Sequence, residues 1–155
     1  MLNYTEMTQK QLIGKIKRAL EKQPVRLAYL YGSYATGKVR RGRDIDIAVV
    51  LEPGSDKADC EIAADVYKKA IATGGPDIDV RKIDLKTSPV FLANTLKPAR
   101  PLLVKDEKER IRFEKKAFQK YYDSQHLRNI SYYYLAKRTK EGKYGRGGAN
   151  YQKAA

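Results

Sequence analysis

Residues 25–51 read VRLAYLY-GSYATG-KVRRGR-DIDIAVVL, and the fold turns on this stretch. Its first seven residues are mostly apolar and β-prone, the pattern of a buried strand. Gly32 to Gly37 are small residues suited to a turn, and residues 38–43 are a basic loop. A second strand is predicted from Asp44 to Leu51. Side chains alternate across a strand, so Ile45, Ile47 and Val49 share one face and Asp44 and Asp46 share the other.

Outward from this core, residues 8–23 carry Leu12, Ile13, Ile16 and Leu20 at helical spacing, with Thr8 as cap and Pro24 as stop. Beyond the Glu52-Pro53-Gly54 turn, Ser55 is placed to cap a helix reaching residue 73, ended by Gly74-Gly75-Pro76. Residues 77–81 alternate again, with Ile78 and Val80 inward and Asp77, Asp79 and Arg81 outward. Ile83 and Leu85 change phase, which suggests a bulge near Lys82. Ser88-Pro89 opens a short helix to about residue 97, and residues 101–104 form a short strand. From Asp106 to Glu141 there is no Pro or Gly, giving one long C-terminal helix or two with a break near Asp123-Ser124. Helices and strands interleave, so the expected class is α/β (α+β): a small mixed sheet flanked by helices. One domain over residues 1–141 and a flexible, basic, Gly-rich tail over 142–155 complete the organisation.

Composition narrows the functions. At 155 residues the chain suits a single domain. Cys60 and His126 are its only cysteine and histidine, which excludes a disulfide framework and a Cys/His zinc site. No apolar run spans a membrane, and Met1 to Gln9 lack the apolar stretch of a signal peptide; a reducing, cytoplasmic setting is expected. The net charge of +14 favours acidic partners, and the excess is densest after residue 105, where Tyr121-Tyr122 and Tyr132-Tyr133-Tyr134 also fall. Tyrosine and basic residues together suit an interface. Nucleic acid is a less favoured partner, because no RNA-binding motif is present.

The chemistry lies in Gly32-Ser33, ten residues, then Asp44-Ile45-Asp46. Two carboxylates at i and i+2 on one strand face repel each other. A hard divalent cation removes that cost, and Mg²⁺ takes carboxylates together with substrate phosphates. Asp79, outward on a neighbouring strand, would complete a site for two metals. Gly32 permits close backbone approach to a phosphate. If Ser33 opens a helical turn, its N–H groups and hydroxyl face an anion. Lys38, with Arg40, Arg41 and Arg43, lies between grip and carboxylates and could reach a triphosphate.

Gly32-Ser33-Tyr34-Ala35-Thr36-Gly37 through Asp44-Ile45-Asp46-Ile47-Ala48-Val49 resembles the signature of the minimal nucleotidyltransferases (MNT proteins) of the DNA polymerase beta superfamily. Ile78-Asp79-Val80 is similar to that family's third-carboxylate strand, and similarity extends over roughly residues 25–122. Arg43 stands where the family usually has Ser. Arg81-Lys82 are two extra residues, which keep Asp84 as an alternative to the preferred Asp79. The resemblance implies a polymerase-beta-like nucleotidyltransferase fold, with Asp44, Asp46 and Asp79 as catalytic metal ligands and Gly32, Ser33 and Lys38 on the nucleotide. It further implies Mg²⁺ as cofactor, ATP as donor, and an antitoxin role. In HEPN–MNT pairs the MNT protein transfers AMP to a tyrosine of a HEPN ribonuclease toxin, with which it would form a hetero-oligomer. The alternatives are transfer to an RNA end or small molecule, and a non-catalytic inhibitory module.

Overall fold

A computed structural model of the protein describes residues 8–39, 43–72 and 74–143. The elements run α1 (Gln9–Glu21), β1 (Val25–Tyr31), α2 (Gly32–Thr36), β2 (Ile45–Leu51), α3 (Asp59–Ala70), β3 (Ile78–Lys82), α4 (Pro89–Leu96), β4 (Arg100–Val104), α5 (Glu107–Asp123) and α6 (Gln125–Lys140). Four strands form one sheet in the order β3-β2-β1-β4. β1 lies antiparallel to both β2 and β4, and β2 lies parallel to β3. The sheet is mixed, as the interleaved pattern predicts.

Local chemistry accounts for several boundaries. Thr8 caps α1 in a reciprocal capping box with Gln11. Asp106 caps α5 by accepting from the N–H groups of Lys108 and Glu109. Gly142 follows α6 at φ +64°, and the N–H groups of Gly142 and Lys143 donate to Thr139 and Arg138 in a Schellman closure. The expected tail otherwise lies outside the described residues. Both bounds of α3 need correction. Ser55 does not cap α3: its N–H closes a turn on Glu52, and the helix starts only at Asp59, with Ala58 at the N-cap position. α3 ends at Ala70, ahead of the glycines, with Ala72 at φ +66°. The C-terminal segment takes the second of its two expected forms, two helices with the break at Ser124, whose hydroxyl donates to the Tyr121 carbonyl.

The two sheet faces are covered by different layers. On one, Ala28, Leu30, Ile45, Ile47, Val49 and Val80 pack under Leu12, Ile16 and Leu20 of α1 and Ile62 and Val66 of α3. On the other, Leu27, Tyr29, Ala48, Val50 and Ile83 pack under Leu92 and Leu96 of α4 and Phe113 and Ala117 of α5. Ile83 therefore belongs to the second face without any bulge. β2 and β3 pair without a register shift through Lys82, and the Ile83 N–H still donates to Val49. The apparent phase change arises because this sheet buries both of its sides. Tyr29, buried beneath α5, donates its hydroxyl to Glu114 at 3.1 Å. Burial first, and the Glu114 charge second, hold that phenol well above its ordinary range. Leu92 is fully buried in this second layer. Leu92→Ala is expected to cost about 2–5 kcal/mol, read as a lower midpoint in urea unfolding with unchanged slope.

Among the described residues no helix is long and apolar enough to cross a membrane.

Candidate active site

α4 and α5 cover only part of the second sheet face. Along β1 that face runs Leu27, Tyr29, Tyr31; along β2 it runs Val50, Ala48, Asp46; along β3 it runs Ile83, Arg81, Asp79. The apolar ends lie under the helices. At the other ends Tyr31 pairs with Asp46 and Asp46 pairs with Asp79, so three polar side chains stand in a row across three strands. Asp44 lies just before β2, exposed and close enough to act electrostatically on Asp46.

The segment after β1 is a helix rather than an open turn. α2 begins at Gly32 and closes at Gly37, which adopts φ +73°. The first N–H groups of a helix have no partner within it, so this turn directs donors outward beside Asp46. Gly32 itself sits at φ +66°, and a β-carbon there would lie 2.2 Å from Asp46 Oδ2 and 3.1 Å from Cγ. Only glycine fits under that carboxylate.

The electrostatics follow from the crowding. Asp46 is held above the usual carboxylate range, first by burial, then by the charges of Asp79 and Asp44, with Arg81 and Arg43 opposing. Tyr31 is likewise raised, by burial first and then by Asp46 and Asp79. Asp79 is half-exposed, and its Oδ2 lies 3.6 Å from Arg81 Nε. Among the described residues no three acidic, histidine or cysteine side chains already converge as a metal cage. The donor set nevertheless fits a hard cation: oxygen ligands only, mutually repelling, with Asp46 drawn in close to the backbone of Gly32.

Asp84, the alternative carboxylate, is placed elsewhere. It accepts from the N–H groups of Lys86 and Thr87 and from the Thr87 hydroxyl, closing the turn before α4. Burial acts to raise its carboxyl, but these hydrogen bonds and the Lys86 charge outweigh it, and the carboxyl falls below its ordinary range. A lowered folded value means stability present at neutral pH and lost as pH falls through it. Asp84→Ala should therefore be less stable than wild type near pH 7, and the gap should close as acid protonates the carboxyl, as read by thermal unfolding against pH.

Lys38 is exposed just past Gly37. Arg40 and Arg41 lie outside the described residues, whereas Arg43 reaches the field of Asp46. Two members of the site escape a motif reading. Arg81 is legible as outward-facing from strand alternation, but nothing in the sequence marks it as a partner of Asp79. Tyr31 depends on the β1–β2 register, which no local pattern specifies. His126 and Cys60 are both exposed, and Cys60 lines a surface pocket that Asp79 and Arg81 also line.

A mixed four-stranded sheet with a Gly-Ser helical turn facing strand-borne aspartates is the architecture of a nucleotidyltransferase. The polymerase beta nucleotidyltransferase family model matches residues 14–108, and the chain belongs to that family. No curated protein matches significantly. Among solved structures, a toxin–antitoxin crystal structure with AMP-PNP is similar at 25% identity and TM-score 0.67, covering 80% of this chain and 98% of that one. The complex of a tri-AMPylated Shewanella oneidensis HEPN toxin with its MNT antitoxin is similar at 23% identity and TM-score 0.65, covering 83% and 99%. A MntA–HepT toxin–antitoxin structure follows at 22% identity and TM-score 0.63, covering 83% and 99%.

Proposed function

We propose that this chain is the antitoxin of a HEPN–MNT pair, transferring AMP from ATP to a tyrosine of its cognate HEPN toxin. The observation that carries the reading is the placement of Asp46 beside Asp79, over a glycine that admits no side chain, in a fold similar to antitoxins seen with AMP-PNP and with an AMPylated toxin.

Asp44, Asp46 and Asp79 would hold Mg²⁺, with Asp79 preferred over Asp84, which lies outside the row of Tyr31, Asp46 and Asp79 and whose Oδ1 is taken by its own turn. When bound, Mg²⁺ supplies charge that offsets the carboxylate cluster and the donor phosphates. Gly32 and Ser33 present the opening N–H groups of α2 to the distal phosphates, and Lys38 adds charge nearby. Asp79, half-exposed at the edge strand, is open to an acceptor from a partner and takes the proton of its hydroxyl. The acceptor oxygen bonds to the α-phosphorus while the bond to pyrophosphate breaks. AMP on a ribonuclease tyrosine places negative charge and bulk where RNA phosphate must lie, which would block the toxin.

α6 provides a docking face. Leu127, Ile130, Tyr132, Tyr133, Tyr134 and Leu135 are all exposed on a helix with no buried residue, and Lys137, Arg138 and Lys140 form its basic last turn. Aromatic and aliphatic anchors rimmed by cations fit an acidic protein surface. Raising salt should slow association with the toxin more than dissociation, measured by stopped-flow at several ionic strengths. A cytoplasmic setting, with Cys60 reduced, suits this role.

Intact-mass measurement of the toxin after incubation with this chain, ATP and Mg²⁺ tests the reading. The toxin should gain whole AMP units on tyrosine. An unchanged toxin alongside a labelled RNA end or small molecule would replace this reading with the second one.

A further inference from the structure

α1 and α3 pack side by side on the sheet face opposite the carboxylates. Between them lies a groove of about 390 Å³ lined by Lys15, Arg18, Ala19, Lys22, Lys68 and Lys69. Five of these six residues are cations and none is acidic. Lys15, Arg18 and Lys22 recur at three- and four-residue spacing, which sets them on one stripe of α1. Lys68 and Lys69 close the last turn of α3.

Among the described residues none of the five forms an ion pair. Asp65, a carboxylate that feels Lys69, is already bonded to Lys57 at 2.6 Å. Five like charges around one groove repel each other, and a polyanion removes that repulsion. The lining also discriminates between polyanions. The groove holds no large apolar side chain, and none is exposed on α1 or α3. A protein interface centres on apolar and aromatic anchors, as α6 offers and this groove does not. Charge without anchors is the footprint of phosphate-backbone binding.

We propose that the α1–α3 groove is a nucleic-acid site that grips the phosphate backbone without reading bases. It is separate from the transfer site, and it does not depend on the identity of the acceptor.

Fluorescence anisotropy of the full chain tests this with a labelled single-stranded RNA of about 20 nucleotides and a DNA duplex of similar length, titrated at several salt concentrations. Both probes should bind at low salt. Affinity should fall on the order of 10²-fold between about 50 and about 200 mM salt. Lys15→Ala/Arg18→Ala/Lys22→Ala should weaken binding by at least about tenfold and flatten the salt slope. Whichever probe binds tighter identifies the natural source. The charge-matched control is Arg112→Ala/Lys115→Ala/Lys116→Ala, on the exposed side of α5 beyond the opposite sheet face; it should leave affinity within about twofold. Equal weakening by that control would assign binding to the net charge and overturn the groove. So would absence of binding at low salt, or equal binding of a poly-glutamate peptide of the same charge.

Discussion

Asp46→Asn should abolish AMP transfer, by at least about 10³-fold, while the protein stays folded. That loss corresponds to about 4 kcal/mol of transition-state stabilisation, within what a metal-anchoring carboxylate supplies. The fold should survive because Asp46 makes no ion pair among the described residues and is crowded by Asp79 and Asp44. Its carboxyl is raised in the folded state, so at neutral pH its charge works against folding. Removing the charge should leave the melting temperature unchanged or slightly higher. Asp79→Asn should lose transfer comparably, whereas Asp84→Ala should lose stability and keep transfer. Measuring all three on the same toxin, by intact mass over time, separates the two candidate third carboxylates. Near-wild-type transfer by Asp46→Asn would remove the assignment of the site.

Gly32→Ala should cost at least about 10²-fold in transfer, because a displacement of about 1 Å in a catalytic group carries a penalty of that order. The new β-carbon would lie 2.2 Å from Asp46 Oδ2, so either the carboxylate moves or the α2 turn does. The left-handed conformation at φ +66° adds about 1–2 kcal/mol of backbone strain for any residue with a β-carbon. Gly37→Ala controls for that strain: Gly37 has φ +73°, but a β-carbon there would meet nothing within 4 Å. It should lose similar stability and retain transfer. If the two variants lose transfer equally, the close packing of Gly32 under Asp46 is not what the reaction needs.

Residue type and spacing determined much of this protein in advance. Alternation alone put Asp44 and Asp46 on the opposite face from Ile45, Ile47 and Val49, because a strand's period of two leaves no other arrangement once the apolar face is buried. The Thr8 and Asp106 caps and the Gly142 closure were legible because each is a contact between residues close in sequence. Non-local pairing was not legible. The parallel register that sets Asp46 against Asp79, and the antiparallel one that adds Tyr31, join strands separated by loops or by α3, and no residue near either strand encodes the offset. Ile83 looked like a phase error because burial of both sheet faces appears only when α4 and α5 fold back over the second one. The same packing leaves part of that face uncovered, and the carboxylates lie there. Likewise Gly32 reads in sequence as a flexible turn residue. Only the folded chain, with Asp46 brought over it from the next strand, shows that the missing side chain is the room the carboxylate occupies.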